Sequence, residues 1–513
     1  MVKRVLLIIM VLALSFTSFT SCKNEEEEIA GGQGDKVVAV PGGTLKLACV
    51  SVDTMNPLAT QHASVYDFLS LIYEGLFVVK PDLTVEPVLA ENYEVSENNT
   101  VYTIKLKDNI RFHNGKIFTA DDVVATLEYM AFYTTRWQSF TQYLAGYYAE
   151  DHTTLVIKLN SCKADFINNL DFPILPSGLG ADAFMSPNQA FVPVGTGVYE
   201  YDTTVAYKDI ILKANDDWHG GTDKAYIENV DVEILSDEET LISAFDAGSV
   251  DALTTSWKSF GELGLTSSLF NTFENEQNQF TFVGINCKSM YFDTAKERRA
   301  LRDGINSKKI ADDIMLGHAV VAHSPIRENV YFNSKIETSS EDPVKSERSA
   351  EGEPIECRLL YNSDSKTKSR IAAAVKQQLE SRGYSIFLDG QPLVLYNEKV
   401  SVGDYELYIG EVKMTGSCDL SFMFSSPYLG ICNYDDGELR SLVSNLDLVD
   451  DTEDKKVAWS NFKKYYKGTV PQVPLYFTNG ASFVNKRIKG SLKPNLSTPY
   501  YGIDDMFINY EKQ

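Results

Sequence analysis

The chain has 513 residues, of which 23% are charged and 12% aromatic, and its formal net charge at neutral pH is −24. At ~150 residues per domain, this length predicts roughly three domains with sizeable cores. Such an excess of acidic side chains repels nucleic acids and anionic membrane surfaces, so neither is expected as a direct ligand.

The N-terminus has the order of a secretory signal peptide. Basic residues 3–4 precede an apolar run, residues 5–14, and small and hydroxyl residues then lead to Cys22. The run is shorter than the ~20 residues that span a bilayer. An uncleaved anchor is the alternative. The sequence FTSC at residues 19–22 resembles the lipobox of bacterial lipoproteins, with phenylalanine where leucine is usual. Residues 1–22 are therefore predicted to be a lipoprotein signal peptide, with Cys22 as the lipid attachment site.

The next stretch, residues 23–42, is predicted to be a disordered tether. It contains four consecutive glutamates and a glycine-rich segment, which cannot bury enough apolar surface to fold. A frayed terminus without a role has the same composition, and the sequence does not separate the two.

Strand and helix patterns follow in chain order. Residues 43–50 and 153–159 read as strands, and residues 101–107 alternate as a half-buried strand does. A helix is predicted to begin at Thr119, because Asp122 three residues later completes a capping-box spacing.

The second half of the chain continues this alternation. Helices are predicted at residues 238–247 and 367–382, and a strand at 384–388. The charged stretch 339–352 is expected to be a surface loop at a subdomain junction. Strands that alternate with helices predict α/β domains with largely parallel sheets.

Signals of catalysis and metal binding are lacking in the sequence. It has no GxSxG, P-loop, HExxH or CxxC spacing, and its six histidines are scattered. We therefore expect no enzyme activity, no cofactor and no metal. Cys418 and Cys432 either close a local disulfide or stay free, and the spacing does not decide between them.

A series of short segments resembles family 5 extracellular solute-binding proteins, the peptide- and nickel-binding components of ABC importers. One of them, PVGTGVY at residues 193–199, is similar to the family's PVGTGPY, and AGSVD at 247–251 is similar to its SGEVD. The full set occurs in the family's order over nearly the whole chain after the tether. Its members are residues 43–45, 55–57, 72–76, 85–96, 102–107, 110–123, 193–199, 247–251, Asn286, 299–301, Ile305, 473–476 and 486–490.

The resemblance implies a two-lobed periplasmic-binding-protein-like α/β fold of class II, cluster C type, with an extra inserted domain. Lobe I is expected to comprise residues 43–74, 185–283 and 478–513, and lobe II residues 284–477. Residues 75–184 are the expected insertion. Hinges are expected near residues 282–286 and 476–480.

The resemblance also implies a site between the lobes, where relatives hold a peptide mostly through its backbone and pair its ammonium with a carboxylate. The sequence departs from the family there: Glu411 stands where a tryptophan is usual, and the segment after it is altered. Asp419 is the first candidate for the ammonium partner and Glu411 the second, with solvated loop residues as the alternative. The complete set of candidate ligand-binding residues is Asp419, Glu411, Asn286, Ser51, Val52 and Asp53.

Three functions compete. The first is delivery of peptides to the permease and ATPase subunits of an ABC importer. The second is capture of another solute by the same fold, such as a nickel complex, an opine or an oligosaccharide. The third is an extracellular hydrolase, which lacks a nucleophile–base pattern here. The resemblance favours the first, with the protein a monomer held by lipid at the outer face of the cytoplasmic membrane.

Overall fold

The computed structural model describes residues 37–512 except 97, 134, 136, 186–189, 206–207, 222–224, 256–262, 266–267, 334–352, 415, 418 and 425–433. The predicted signal peptide with Cys22, the tether up to residue 36, and Cys418 and Cys432 lie outside the described residues. Residues 39–510 form one compact unit, and the described residues 37–38 and 511–512 fall outside it.

The strands are listed first, in chain order. They are β1 (Val37–Val40), β2 (Thr44–Val50), β3 (Phe77–Val79), β4 (Val85–Pro87), β5 (Ala90–Val95), β6 (Val101–Leu106), β7 (Leu144–Asp151), β8 (Thr154–Leu159), β9 (Tyr199–Val205), β10 (Asp209–Ala214), β11 (Asn229–Leu235), β12 (Ala252–Thr254), β13 (Phe270–Ile285), β14 (Ala319–Val321), β15 (Ile355–Asn362), β16 (Tyr384–Gln391), β17 (Leu407–Lys413), β18 (Gln472–Asn485) and β19 (Asn509–Lys512).

The helices range from one turn to five. They are α1 (Ala63–Leu69), α2 (Ala120–Phe132), α3 (Gln138–Thr141), α4 (Glu238–Asp246), α5 (Ala295–Asp303), α6 (Ser307–Met315), α7 (Lys366–Glu380), α8 (Leu393–Val402), α9 (Ser421–Phe424), α10 (Gly437–Leu448) and α11 (Thr452–Thr469), with short 3₁₀ turns at Phe166–Asn169, Ala181–Phe184 and Ile503–Asp505. In the part of the chain that is described, no helix combines the length and apolarity needed to cross a membrane.

Three main sheets organise the chain. One has the order β2-β11-β10-β9, and the largest has the order β12-β18-β13-β17-β15-β16 with β14 added on β18. The third, with the order β5-β6-β8-β7, is antiparallel and lies within residues 75–184, the predicted insertion. The first and third sheets share one continuous apolar core, which we call the first core. The largest sheet packs apolar residues on both faces, which together we call the second core.

The two long strands β13 and β18 run antiparallel through most of their length and connect these cores. Phe273 of β13 packs against the first core, whereas Phe280 and Phe282 belong to the second. Strand β13 passes from the first core to the second at residues 277–278, opposite residues 478–479 of β18. The predicted hinge at 476–480 falls at this point, and residues 282–286 lie further along, within and just after the part of β13 that packs in the second core.

Several local predictions are confirmed. Helix α2 begins after Thr119, whose backbone N–H donates to the Asp122 carboxylate at 3.0 Å. Helix α4 spans residues 238–246 of the predicted 238–247, and α7 ends before Gly383, which has a φ of +82°. The unit β15-α7-β16 is a parallel βαβ unit, as expected.

Two expectations are corrected. The sheets are mostly antiparallel: parallel pairs join only β2 to β11 and β15 to β16 and β17 among the described ladders. A helical crossover joins parallel neighbours at β15-α7-β16, whereas hairpins such as β9–β10 and long-range pairs such as β13 with β17 and β18 are antiparallel. Moreover, the strand Val37–Val40 lies inside the predicted disordered tether, because its valines favour extended structure.

Candidate ligand-binding cavity

A cavity of about 430 Å³ lies where β13 and β18 pass from the first core to the second. We call it the main cavity. Its wall is assembled from α1, the 3₁₀ turn at Phe166–Asn169, the ends of β12 and β17, the middle of β13, and the segment 495–499 near the C-terminus. Pockets of this size hold small ligands in many proteins.

A two-residue bulge in β13 forms one side of the main cavity. Glu276 pairs with Asn479 and Gln279 pairs with Thr478, so Gln277 and Asn278 have no opposing residue in β18. Both line the cavity. Their backbone is fixed, because the Asn278 carbonyl accepts from the backbone N–H of Met414 at 2.7 Å. The bulge thus brings two amide side chains to the wall at the point where the strand changes core.

Amide side chains dominate the polar part of the main-cavity wall. They are Asn168, Asn169, Asn275, Gln277, Asn278 and Asn495.

One of them, Asn495, is 5% exposed, and its Nδ2 has no hydrogen-bond partner among the described residues. Its Oδ1 accepts from the backbone N–H groups of Ser497 and Thr498 at 2.9 and 2.8 Å, which fixes the side chain. A buried N–H donor without a partner costs free energy, and a ligand carbonyl would satisfy it.

Aromatic side chains form another part of the main-cavity wall. Tyr66, Trp137 and Phe140 line the main cavity. The rings of Tyr66 and Trp137 are 5.7 Å apart, and Phe140 stacks on Phe172 of the first core at 5.6 Å. These contacts give the cavity a rigid apolar wall that can cover side chains of different shapes.

The described charged side chains of this wall are Asp67, Asp171 and Lys413. The Asp171 carboxylate accepts a hydrogen bond from the Ser497 hydroxyl at 2.7 Å and one from the Trp137 indole. Burial raises the pKa of Asp171, and these donors and the Lys413 ammonium oppose that rise only in part. Asp67 accepts from the Thr254 hydroxyl at 2.5 Å.

A second cavity of about 320 Å³, the side cavity, adjoins the first. Asp171 and Asn495 lie on both walls. Glu74 lies on the side-cavity wall and its carboxylate is bonded to Thr196 Oγ1, Trp218 Nε1 and His219 Nε2 at 2.8, 3.1 and 2.8 Å.

The predicted residues Ser51, Val52 and Asp53 lie outside both cavity walls. The Asp53 carboxylate accepts from Thr60 Oγ1 at 2.7 Å and from the backbone N–H of Gln61 at 2.8 Å. Burial acts to raise its pKa, but these hydrogen bonds hold the pKa of Asp53 below its usual value. In the structure Asp53 organises the turn that leads into α1.

Asp419 is 9% exposed and is held by Lys163 and Tyr143, at 2.9 and 2.8 Å from its Oδ2. Burial acts to raise its pKa, yet the Lys163 ammonium keeps the pKa of Asp419 below its usual value. Asp419 is not on either cavity wall. Its role as ammonium partner stays a prediction, and in this structure its carboxylate binds a lysine of the protein.

Glu411 and Asn286 also have partners within the protein. Glu411 lies 3.2 Å from Lys368 and accepts from the Thr281 hydroxyl at 3.4 Å. Asn286 Nδ2 donates to the Gly403 and Tyr405 carbonyls at 3.3 and 3.0 Å. Neither residue lines the main cavity or the side cavity, so the structure does not gather the six predicted residues at these two cavities.

The sequence reasoning missed the residues that do line the main cavity. One signal was present: the polar run Asn275-Glu276-Gln277-Asn278 interrupts a long strand pattern, which is typical of a bulge. Asp171 carried no such signal, because nothing in its neighbourhood distinguishes it from a surface aspartate. No cluster of three or more His, Cys, Asp or Glu within the described ranges is arranged to hold a metal ion.

A cavity of this size between two cores, walled by amides and aromatic rings, is typical of a solute-binding protein. The comparisons with known proteins agree. The chain belongs to the bacterial extracellular solute-binding proteins of family 5, whose model matches residues 84–426. Members of this family are extracellular or periplasmic capture proteins of ABC importers.

Three relatives illustrate the similarity. The oligopeptide-binding protein AppA of Bacillus subtilis is 23% identical over 414 residues, which cover 74% of each chain. Its structure with a nonapeptide superposes with a TM-score of 0.65 at 20% identity, over 92% of this chain and 100% of that one.

The glutathione-binding protein GsiB of Escherichia coli K12 is 26% identical over 285 residues, 53% of this chain and 54% of its own. The structure of HbpA2 from Haemophilus parasuis gives a TM-score of 0.75 at 19% identity, over 92% of this chain and 100% of that one. The structural neighbours establish the fold, which is the family 5 periplasmic-binding-protein fold.

Proposed function

We propose that this protein captures peptides in the main cavity and delivers them to the permease of an ABC importer. Relatives named for oligopeptide and glutathione binding support a peptide ligand. The permease and its ATPase subunits are the partners that family membership implies.

The observation that carries this proposal is the amide wall with the buried Nδ2 of Asn495. Each peptide unit of a ligand offers one N–H donor and one carbonyl acceptor. An amide side chain offers two donors and an acceptor, so it can bond to either. The Nδ2 groups of Asn168, Asn169 and Asn275 already donate to carbonyls of the protein. The Nδ2 of Asn495 and the side-chain amides of Gln277 and Asn278 are therefore the groups that we expect to bond to a peptide backbone, whatever its side chains are. The aromatic rings of the wall tolerate the variety of those side chains.

The described cysteines do not support a role as catalytic nucleophiles. Burial raises the pKa of Cys49, Cys287 and Cys357 to about 12, so their thiols are neutral and poorly nucleophilic at neutral pH. We therefore propose that the protein is a binding protein without enzyme activity. A nickel complex, an opine or an oligosaccharide is the competing kind of ligand.

The predicted organisation belongs to the same proposal. Two lobes, residues 43–74 with 185–283 and 478–513, and residues 284–477, close on the ligand, with residues 75–184 inserted. A lipid on Cys22 holds the protein, as a monomer, at the outer face of the cytoplasmic membrane.

Native mass spectrometry of the purified mature chain tests the ligand class. We expect complexes with members of an equimolar mixture of tri- to pentapeptides. Asn278→Leu removes a wall amide at similar volume and should reduce binding, whereas Asn445→Leu on the exposed side of α10 should not. If the peptides fail to bind while a nickel–histidine complex or an oligosaccharide does, peptide capture is the wrong function.

A further inference from the structure

We propose that the ligand is a short basic peptide whose lysine or arginine side chain extends past Asp171 into the side cavity. The inference rests on the proposed function, since it takes a peptide in the main cavity as given. Nothing in the family match specifies the charge of the ligand.

The first argument is the charge of the main-cavity wall. Its described charged groups are two carboxylates, Asp67 and Asp171, and one ammonium, Lys413. A peptide with neutral side chains brings one ammonium and one carboxylate, and so leaves the excess negative charge of the wall unchanged. A peptide with one additional cation balances the wall, and buried charges are stable only when they are balanced.

Asp171 is the wall carboxylate best placed for that additional cation. Both donors named for it, the Ser497 hydroxyl and the Trp137 indole, are neutral, so these hydrogen bonds hold its orientation but do not cancel its charge. The Lys413 ammonium also acts on Asp171, but it offsets the effect of burial only in part. Asp171 lies on the walls of both cavities.

The wall of the side cavity also carries more carboxylates than ammonium groups. Its described wall carries the carboxylates Glu74, Glu86, Asp171, Asp504 and Asp505, against the ammonium groups of Lys107 and Lys493. Two of these carboxylates face ammonium groups of the protein, Asp505 at 3.5 Å from Lys493 and Glu86 at 3.0 Å from Lys80. Burial, and after it the neighbouring Asp505, raises the pKa of Asp504 above its usual value. A long cationic side chain that enters from the main cavity meets this surplus.

Isothermal titration calorimetry with Ala-Lys-Ala, Ala-Ala-Ala and Ala-Glu-Ala tests the inference. We expect Ala-Lys-Ala to bind at least about tenfold more tightly than Ala-Ala-Ala, and Ala-Glu-Ala to bind most weakly. Asp171→Asn should bring the first two affinities to within about threefold of each other. Asp312 is an exposed residue of α6 that pairs with Lys308 on the surface. As a control, Asp312→Asn should retain the preference for Ala-Lys-Ala.

A second variant covers the case in which Asp171→Asn does not fold. Lys413→Met makes the wall more negative, so it should increase the ratio of the affinities for Ala-Lys-Ala and Ala-Ala-Ala. Equal affinities of the wild type for all three peptides, or a preference preserved in Asp171→Asn, would overturn the inference and leave peptide capture standing. Absence of binding by all three would instead contradict the proposed function itself.

Discussion

Lys163 and Asp419 form an ion pair, with 2.9 Å between Nζ and Oδ2, that joins the segment after β8 to the segment after β17. The same ammonium lies 2.9 Å from Asp447. Both ends are nearly buried, with 5% of the lysine and 12% of the aspartate side chain exposed. The residue predicted to bind a ligand ammonium thus binds an ammonium of the protein itself.

The first prediction is that Asp419→Asn lowers the free energy of unfolding. The buried Lys163 ammonium loses one of its two carboxylates, which should cost about 1–3 kcal/mol. Urea denaturation measures the loss, and exposed Asp312→Asn should change stability by no more than about 0.5 kcal/mol. Affinity for Ala-Lys-Ala should stay the same. A tenfold weaker affinity at unchanged stability would restore Asp419 as the ammonium partner.

The bulge of β13 gives a second prediction. Deleting Gln277 and Asn278 together joins Glu276 to Gln279 and removes this irregularity from the ladder with β18, while the one between Thr281 and Phe282 stays. An even deletion keeps every side chain on its face. We expect a folded protein whose free energy of unfolding is lower by about 1–3 kcal/mol, because the hydrogen bonds of the bulge are lost. It should bind peptide at least about tenfold less tightly.

Circular dichroism and calorimetry measure both effects. Deletion of Gln277 alone is the matched comparison, since it turns the rest of β13 over and should prevent folding. Full peptide affinity in the double deletion would show that the bulge does not contribute to the site.

The pH dependence of binding gives a third prediction. Burial raises the pKa of Asp171 above its usual value in the free protein, and a bound cation lowers it. Affinity for Ala-Lys-Ala should therefore rise with pH up to the raised pKa of Asp171 in the free protein, which lies above the ordinary aspartate value of about 3.9, and level off above it.

Calorimetry in buffers of different ionisation enthalpy should detect proton release on binding within that window. Asp171→Asn should lose this proton release. If the variant kept the wild-type pH profile, the titrating group would be another residue.

A fourth prediction concerns motion between the cores. The strands β13 and β18 pass from one core to the other, and their ladder is irregular at the bulge, where bending is easiest. Small-angle scattering should therefore show a smaller radius of gyration when a peptide saturates the protein. An unchanged radius with demonstrably bound peptide would argue against closure.

The fifth prediction concerns the lipid. Metabolic labelling with a palmitate analogue should modify the wild type and not Cys22→Ala, because the thiol of Cys22 is the proposed attachment point. Washed membranes should retain the wild type and release the variant. Label that persists in Cys22→Ala would place the lipid elsewhere or show that the chain has none.

Individual helices and strands were largely predictable because their signals are local, whereas the two-lobed fold was inferred from the family resemblance. Thr119 and Asp122 are three residues apart, and the βαβ unit around α7 is one contiguous stretch. Whether strands pair parallel or antiparallel was harder to predict from the sequence, since the pairing depends on partners far along the chain. Strand β2 pairs with β11, and β13 pairs with β18.

The cavity could not be derived from one sequence for the same reason. Asp171 acquires its surroundings from Trp137, from Lys413 and from Ser497, which is 326 positions away. Likewise, no local pattern pairs Lys163 with Asp419. Long-range pairs of this kind depend on tertiary packing, whereas a capping box or an amphipathic helix can be recognised within a few residues.

The position of β18 near the end of the chain has a consequence for synthesis. This strand lies inside the largest sheet, between β12 and β13, yet it consists of residues Gln472–Asn485. Until those residues leave the ribosome, the sheet lacks an interior strand and β13 lacks one of its two neighbours. Folding that depends on such distant pairs is intrinsically slow. A chain that must be threaded through a membrane before it folds would gain time from this delay.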